Sequence, residues 1–121
     1  MTVPRILAEH EAAHAVVAAH YGQTVHSISI GRQSGVTRYS GTASSRERAA
    51  VYAAGDLFNR ELGTVPYQDY GCGDLADLEH KHGLSALWQA NRDARAVLSQ
   101  HRQLVLDLAD RLMTSPTLTL D

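Results

Sequence analysis

Two histidines four residues apart, with a glutamate directly after the first, form the segment His10-Glu11-Ala12-Ala13-His14 near the start of the chain. Residues four apart lie on the same face of a helix, so the two imidazoles can bind one metal ion. Two neutral nitrogen ligands, completed by a third protein ligand and a water molecule, are typical of catalytic zinc. Glu11 lies about 100° around the helix from His10, where it can accept a proton from that water without binding the metal. The motif predicts a zinc-dependent hydrolase site, although the same pattern also occurs by chance on ordinary helices.

The residues around this motif are strongly apolar, which favours a metal site over a solvated helix face. Ionisable side chains are rarely buried unless something compensates their charge or their polar atoms. A metal ion would compensate the two histidines. The apolar neighbours are Ile6, Leu7, Ala15, Val16, Val17, Ala18 and Ala19.

The composition indicates one small folded domain covering residues 1–121. The net charge is −2, with 11 basic and 13 acidic residues mixed along the chain, so nucleic acid is not an expected partner. The single cysteine, Cys72, excludes an internal disulfide. No apolar run is as long as a membrane span, and Arg5 and Glu9 stand where a signal peptide would be uncharged. We therefore expect a cytoplasmic domain without membrane contact of its own.

The apolar periodicity predicts a mostly α fold with a small β element (α+β), a helical bundle with the zinc site on the first helix. Pro4 and Gly22 bracket a first helix over about residues 4–21. A strand is predicted over Val25–Ile30. A loop or a weak second strand follows around Val36–Tyr39.

A second helix is predicted from a capping box. Ser44 and Glu47 have the spacing of that motif, and Gly63 closes the helix. Residues 63–73 contain a proline and three glycines, so they are expected to be irregular.

The rest of the chain is predicted to be helical. A short third helix begins near Asp74 and ends before Gly83. From Ser85 the apolar pattern is helical, as two helices meeting near Gln100, until Pro116 ends it.

The spacing of the histidines alone does not provide a third ligand. His20 stands where one HExxH pattern has its third histidine, but that pattern has a glycine at the position of Val17 to break the helix. Without a break, His20 lies about 15 Å further along the helix axis than His10, so we expect it to lie outside the site. We expect His26 and His101 to be surface or core histidines.

Asp74 is a stronger candidate because it follows a glycine-rich turn and begins a predicted helix. Free backbone amides stabilise a carboxylate at that position. The simpler alternative is that Asp74 only caps the helix. Four competitors lie further along, and their number suggests an exposed polar face: Asp77, Glu79, His80 and His82.

Taken in order, these segments resemble the peptidase domain of the FtsH-type ATP-dependent zinc metalloproteases. Residues 10–18, H-E-A-A-H-A-V-V-A, are similar to that family's zinc-binding helix, H-E-A-G-H-A. A strand (Ser27–Ile30) follows the motif helix, as in the family. The turn Gly71–Leu75 stands where the family has Gly-Ala-Ser-Asn-Asp-Leu, whose last aspartate binds zinc, and the closing helices come after it in the same order. The resemblance implies Glu11 as the general base and three ligands of Zn²⁺: His10, His14 and Asp74.

The chain also departs from the FtsH pattern. It lacks the ATPase module and the membrane segments, so we expect a reduced, stand-alone relative that need not form the family's hexamer. The family's acidic pair in the second helix falls on Phe58 and Asn59. The resemblance therefore implies that the supporting role of that pair is unfilled or transferred to Asp56 or Glu61.

The expected function is zinc-dependent hydrolysis of peptides or unfolded protein segments, with Glu11 accepting a proton from the attacking water. Tyr39, Tyr67 and Tyr70 are candidates to stabilise the oxyanion, and the edge of the Val25–Ile30 strand is a candidate site for an extended substrate. Folded substrates would need a partner ATPase. The alternative is a non-catalytic zinc-binding regulatory or adaptor protein derived from a protease domain, which the intact Glu11 disfavours.

Overall fold

The structure is a computed structural model that describes residues 3–66 and 84–120. It has the predicted class, mostly helical with a small antiparallel sheet. The predicted third helix, which begins near Asp74, lies outside the described residues, and so does Cys72 in the turn before it. In chain order the elements are α1 (Arg5–His20), β1 (Thr24–Ile30), β2 (Gly35–Ser40), α2 (Ser45–Leu57), a π-helical turn (Phe58–Leu62), α3 (Leu84–Gln100), α4 (Arg102–Thr114) and β3 (Thr117–Thr119).

Helix α1 is the centre of the fold and confirms the predicted first helix. Every residue from Ile6 to Ala18 is buried, because α2, α4 and the sheet all pack against the helix. Its many alanines let these neighbours approach closely. The helix ends at His20, and Gly22 follows with a positive φ of 82°.

The sheet has the strand order β2-β1-β3 and is antiparallel throughout. The predicted strand and weak second strand are confirmed as β1 and β2, whereas β3 was not predicted. Ile28 of β1 pairs with Thr37 on one side and with Leu118 on the other. The prediction that an edge of β1 binds substrate is therefore wrong, because both of its edges are occupied. In the described part of the chain, β2 is the edge strand next to α1.

Helix α2 begins with the predicted capping box. The Ser44 hydroxyl accepts a hydrogen bond from the Glu47 backbone N–H at 3.1 Å, and the Ser44 N–H donates to the Glu47 carboxylate at 2.9 Å. The helix continues into the π-helical turn, in which the Gly63 N–H donates to the Phe58 carbonyl at 2.7 Å. Gly63 ends the element, as predicted.

The last two helices meet at His101, as predicted near Gln100. Helix α3 packs on α2, and two bidentate ion pairs join α3 to α2 and to the π-helical turn. Arg46 contacts Asp93 at 2.8 and 3.0 Å, and Arg95 contacts Glu61 at 2.7 and 2.8 Å. Among residues 3–66 and 84–120, no helix has both the length and the apolar character needed to cross a membrane.

These ion pairs make the stability of the fold depend on pH. Hydrogen bonding to Arg46 lowers the pKa of Asp93, and hydrogen bonding to Arg95 lowers the pKa of Glu61. A carboxyl group with a lowered pKa in the folded state stabilises the protein above its unfolded pKa, and this contribution is lost as the pH falls through the folded pKa.

We therefore expect acidification from about pH 7 to about pH 3 to destabilise the wild type slightly more than the double variant Asp93→Asn Glu61→Gln. The measurement is the free energy of unfolding from denaturant titrations at both pH values. An identical loss in the two proteins would contradict the prediction.

Candidate metal centre

His10, Glu11 and His14 form a buried cluster on α1. Their potential ligand atoms all lie within 4.8 Å of one another, and only 3%, 6% and 8% of the three residues is exposed. The Nε2 atoms of the two histidines are 3.1 Å apart. The structure thus brings together three of the four predicted site residues, whereas Asp74 lies outside the described residues.

The other ring nitrogen of each histidine contacts an oxygen atom. His10 Nδ1 lies 3.1 Å from the Asn59 side-chain oxygen, and His14 Nδ1 lies 2.6 Å from the Val51 carbonyl oxygen. The orientation of the Asn59 amide is fixed because its nitrogen donates to the Ile6 carbonyl at 3.1 Å. Both oxygens are acceptors, so both histidines carry a proton on Nδ1. When the rings are neutral, a lone pair remains on each Nε2.

The arrangement of these two lone pairs fits a metal ion. Neither Nε2 can donate to the other when both rings are neutral, and two lone pairs 3.1 Å apart repel each other. Two nitrogens bound at about 2.0–2.1 Å to a tetrahedral zinc ion would be about 3.3–3.4 Å apart, close to the observed separation. Oxygen acceptors on the distal nitrogens are the usual support of metal-binding histidines.

One face of α2 and the π-helical turn supports the histidines. Val51, Gly55 and Asn59 follow one another at intervals of four residues and therefore share this face. A Cβ atom on Gly55 would lie 2.5 Å from His10 Nε2, far inside van der Waals contact. Only glycine lets α2 approach the His10 ring this closely while Asn59 reaches its Nδ1.

The predicted replacement for the family's acidic pair is wrong. Asn59 itself contacts His10, whereas Asp56 forms an ion pair with Arg60 at 2.7 Å and Glu61 binds α3. An amide oxygen accepts the Nδ1 proton as a carboxylate would. Only acidic residues were considered for this supporting role, so Asn59 was not predicted. The four-residue spacing between Gly55 and Asn59 could have indicated it, because residues at this spacing share one helix face.

Strand β2 covers Glu11. The Thr37 hydroxyl lies 2.7 Å from the Glu11 Oε1 atom and 3.0 Å from the Glu11 carbonyl oxygen. A Cβ atom on Gly35 would lie 2.7 Å from the Glu11 Cγ atom, so this strand also depends on a glycine to approach α1. Neither contact was expected from the sequence, because the residues are far apart along the chain.

A cleft of about 190 Å³ lies beside Glu11 and His14. Tyr39, one of the predicted oxyanion candidates, lines it together with Tyr52, which was not predicted. Tyr67 and Tyr70 lie outside the described residues. The remaining lining residues come from β2: Gly35, Val36 and Thr37.

Glu9 is a second buried carboxylate on α1, and it anchors the chain after the π-helical turn. It is fully buried and accepts hydrogen bonds from Arg5 at 2.8 Å and from the Thr64 backbone N–H at 2.9 Å. The Thr64 hydroxyl donates to it as well. A Cβ atom on Gly63 would lie 2.7 Å from the Glu9 Oε1 atom. No role for Glu9 was predicted from the sequence.

The remaining described histidines lie outside the cluster. His20 is exposed at the end of α1, where its ring lies 5.4 Å from the ring of His101. His26 Nε2 lies 2.6 Å from the Ser40 hydroxyl. That none of the three is a ligand stays a prediction. The competing candidates lie outside the described residues: Asp77, Glu79, His80 and His82.

Comparison with known proteins links the described site to a metallopeptidase family. Residues 6–64 match the family described as Peptidase M50B-like. The match covers slightly less than half of the chain, but it includes the cluster and the described residues that support it. No curated protein matches the chain. The match supports a metallopeptidase-type enzyme, and the FtsH-type relationship stays a prediction.

The contact between Asn59 and His10 predicts a specific loss of metal affinity. Asn59→Leu removes the acceptor of the Nδ1 proton at nearly unchanged volume, whereas Asn59→Asp keeps an oxygen there. We expect the affinity for Zn²⁺ to fall about 10–100-fold in Asn59→Leu and much less in Asn59→Asp. Competition with a chromophoric chelator measures the affinity, and circular dichroism checks the fold. Equal affinities in the wild type and a folded Asn59→Leu variant would contradict the assignment.

Proposed function

We propose that this protein is a zinc-dependent peptidase that hydrolyses peptides or unfolded protein segments. The proposal depends above all on the two Nε2 atoms, 3.1 Å apart in a buried site, with the Glu11 carboxylate beside them. The match of residues 6–64 to a metallopeptidase family supports it independently. The proposed ligands are His10, His14 and Asp74, and the proposed general base is Glu11.

The donor set favours zinc over the hard divalent cations. Calcium and magnesium prefer oxygen ligands, whereas imidazole nitrogens suit zinc and its neighbours among the transition metals. Zinc has no redox chemistry and accepts the tetrahedral arrangement of two histidines, one carboxylate and a water. When bound, the ion would polarise the substrate carbonyl and make the water more acidic.

The residues of this chain then carry out the proton transfers. The Glu11 carboxylate accepts a proton from the attacking water and gives it to the leaving amine nitrogen as the C–N bond breaks. Asn59 and Val51 keep the two histidines in the tautomer that presents Nε2 to the metal. Tyr39 and Tyr52 line the cleft, and we propose their phenol groups as donors to the developing oxyanion.

The substrate is proposed to bind along β2 rather than β1. Strand β2 forms one wall of the cleft and is one of the two edge strands in the described part of the chain. An extended peptide can add to such an edge through main-chain hydrogen bonds. This mode requires a locally unfolded substrate, so we propose flexible segments, free peptides or chains supplied by a partner ATPase as substrates.

The first test of this proposal is the metal content. We expect about one zinc ion per chain, as one site with three protein ligands implies. His14→Ala should empty the site, Asp74→Asn should lower its occupancy, and the control His20→Ala should leave it full. Inductively coupled plasma mass spectrometry of the purified proteins gives the stoichiometry. Full occupancy in His14→Ala, or loss of zinc in His20→Ala, would contradict the ligand assignment.

The second test separates a peptidase from an adaptor. Glu11→Gln should keep the zinc and the fold but lower the hydrolysis rate by about 10²–10⁴-fold, because the general base is removed. Glu61→Gln is the matched control, since Glu61 pairs with Arg95 away from the cluster. The assay uses casein and a library of short peptides. If the wild type and Glu11→Gln are equally inactive at full zinc occupancy, the peptidase proposal fails and the non-catalytic adaptor becomes the better explanation.

A further inference from the structure

Thr37 contacts the proposed general base from the strand that lines the cleft. Gly35, Thr37 and Tyr39 are half-buried, whereas the alternating residues Val36 and Arg38 are exposed, so Thr37 is on the face of β2 that packs against α1. Its hydroxyl lies 2.7 Å from Glu11 Oε1. The hydroxyl also lies 3.0 Å from the Glu11 carbonyl oxygen. A hydroxyl has one proton, and the shorter, charge-assisted bond to the carboxylate is the stronger of the two.

A glutamate needs such a restraint to act as a base. Its side chain has three rotatable bonds, so the carboxylate can adopt several orientations. Proton transfer requires a carboxylate oxygen within about 2.6–3.2 Å of the water oxygen. Gly35 packs against the Glu11 Cγ atom, and Thr37 holds the carboxylate beyond it. Strand β2 therefore restrains this side chain at two successive points.

We infer that Thr37 is a positioning residue that fixes the Glu11 carboxylate for proton transfer. The inference rests on the proposed peptidase function. Thr37 donates to Oε1, and we assign Oε2, the oxygen without that bond, as the atom that takes the proton of the water while the water oxygen bonds to the carbonyl carbon. The same proton passes from Oε2 to the amine nitrogen when the C–N bond breaks. The Thr37 hydroxyl stays a donor throughout and exchanges no proton.

The test compares two substitutions that separate the hydroxyl from the shape of the side chain. Thr37→Val keeps the shape and the preference for strand but removes the donor, whereas Thr37→Ser keeps the donor. We expect kcat to fall about 10–100-fold in Thr37→Val, because misplacement of a reacting group by about 1 Å has this size of effect. KM and zinc content should stay within about twofold of the wild type. Thr37→Ser should recover most of kcat.

The matched control is Thr117→Val, which removes a threonine hydroxyl from the same sheet. That hydroxyl contacts Ser29 at 2.9 Å on the surface, so its loss should leave kcat unchanged. Equal kcat in the wild type and Thr37→Val, or equal losses in Thr37→Val and Thr37→Ser, would overturn the inference. A loss confined to KM or to zinc content would overturn it as well.

Crystal structures give a readout that does not depend on activity. Glu11 should have one carboxylate orientation in the wild type and Thr37→Ser, and more than one in Thr37→Val. A single, unchanged orientation in Thr37→Val would refute the positioning role at any level of activity. If the proposed peptidase function itself is wrong, the zinc-loaded wild type will not hydrolyse peptides. This result is distinct from a failure of the positioning role of Thr37.

Discussion

The burial of ionisable side chains on α1 is the constraint on which the rest of the structure depends. A buried carboxylate or imidazole without a partner is strongly unfavourable, so each of these groups requires a matching polar atom from elsewhere in the chain. The matching atoms come from β2, from α2 with its π-helical turn, from the segment that follows and, for Glu9, also from Arg5 of α1 itself. Glu9 is paired with Arg5 and Thr64, and His10 with Asn59. Glu11 is paired with Thr37, and His14 with the Val51 carbonyl.

Close approach to these groups is possible because three glycines lie beside them. Each glycine lies within four residues of a polar partner, so one short segment supplies both the space and the hydrogen bond. A Cβ atom at any of the three would lie under 3 Å from an atom of α1, and the segment would have to move away with its polar partner. The glycines and partners are Gly35 with Thr37, Gly55 with Asn59, and Gly63 with Thr64.

Local patterns were sufficient to predict the motif helix, the capping box and the position where the last two helices meet, because each depends on residues within a turn or two of one another. The contacts of Thr37 and Asn59 join residues 26 and 49 positions apart, so they depend on tertiary packing. Strand β3 has three residues, too few for a visible alternation. The same limit explains the wrong choice of β1 as the substrate strand, since its second edge is occupied by β3.

The geometry of the two histidines would couple the binding of a metal ion to folding. Asn59 and the Val51 carbonyl accept the Nδ1 protons before any ion binds, so with both rings neutral the fold itself holds two Nε2 lone pairs 3.1 Å apart in a buried site. A cation that accepts both lone pairs relieves their repulsion in the folded state. In the unfolded chain the two imidazoles are separated and hydrated, so the affinity of the ion for that state is much lower. Metal that binds the native arrangement in preference to the unfolded chain stabilises the fold by mass action. In the metal-free protein the repulsion between the two lone pairs reduces the stability of the fold, and a bound ion would offset that loss.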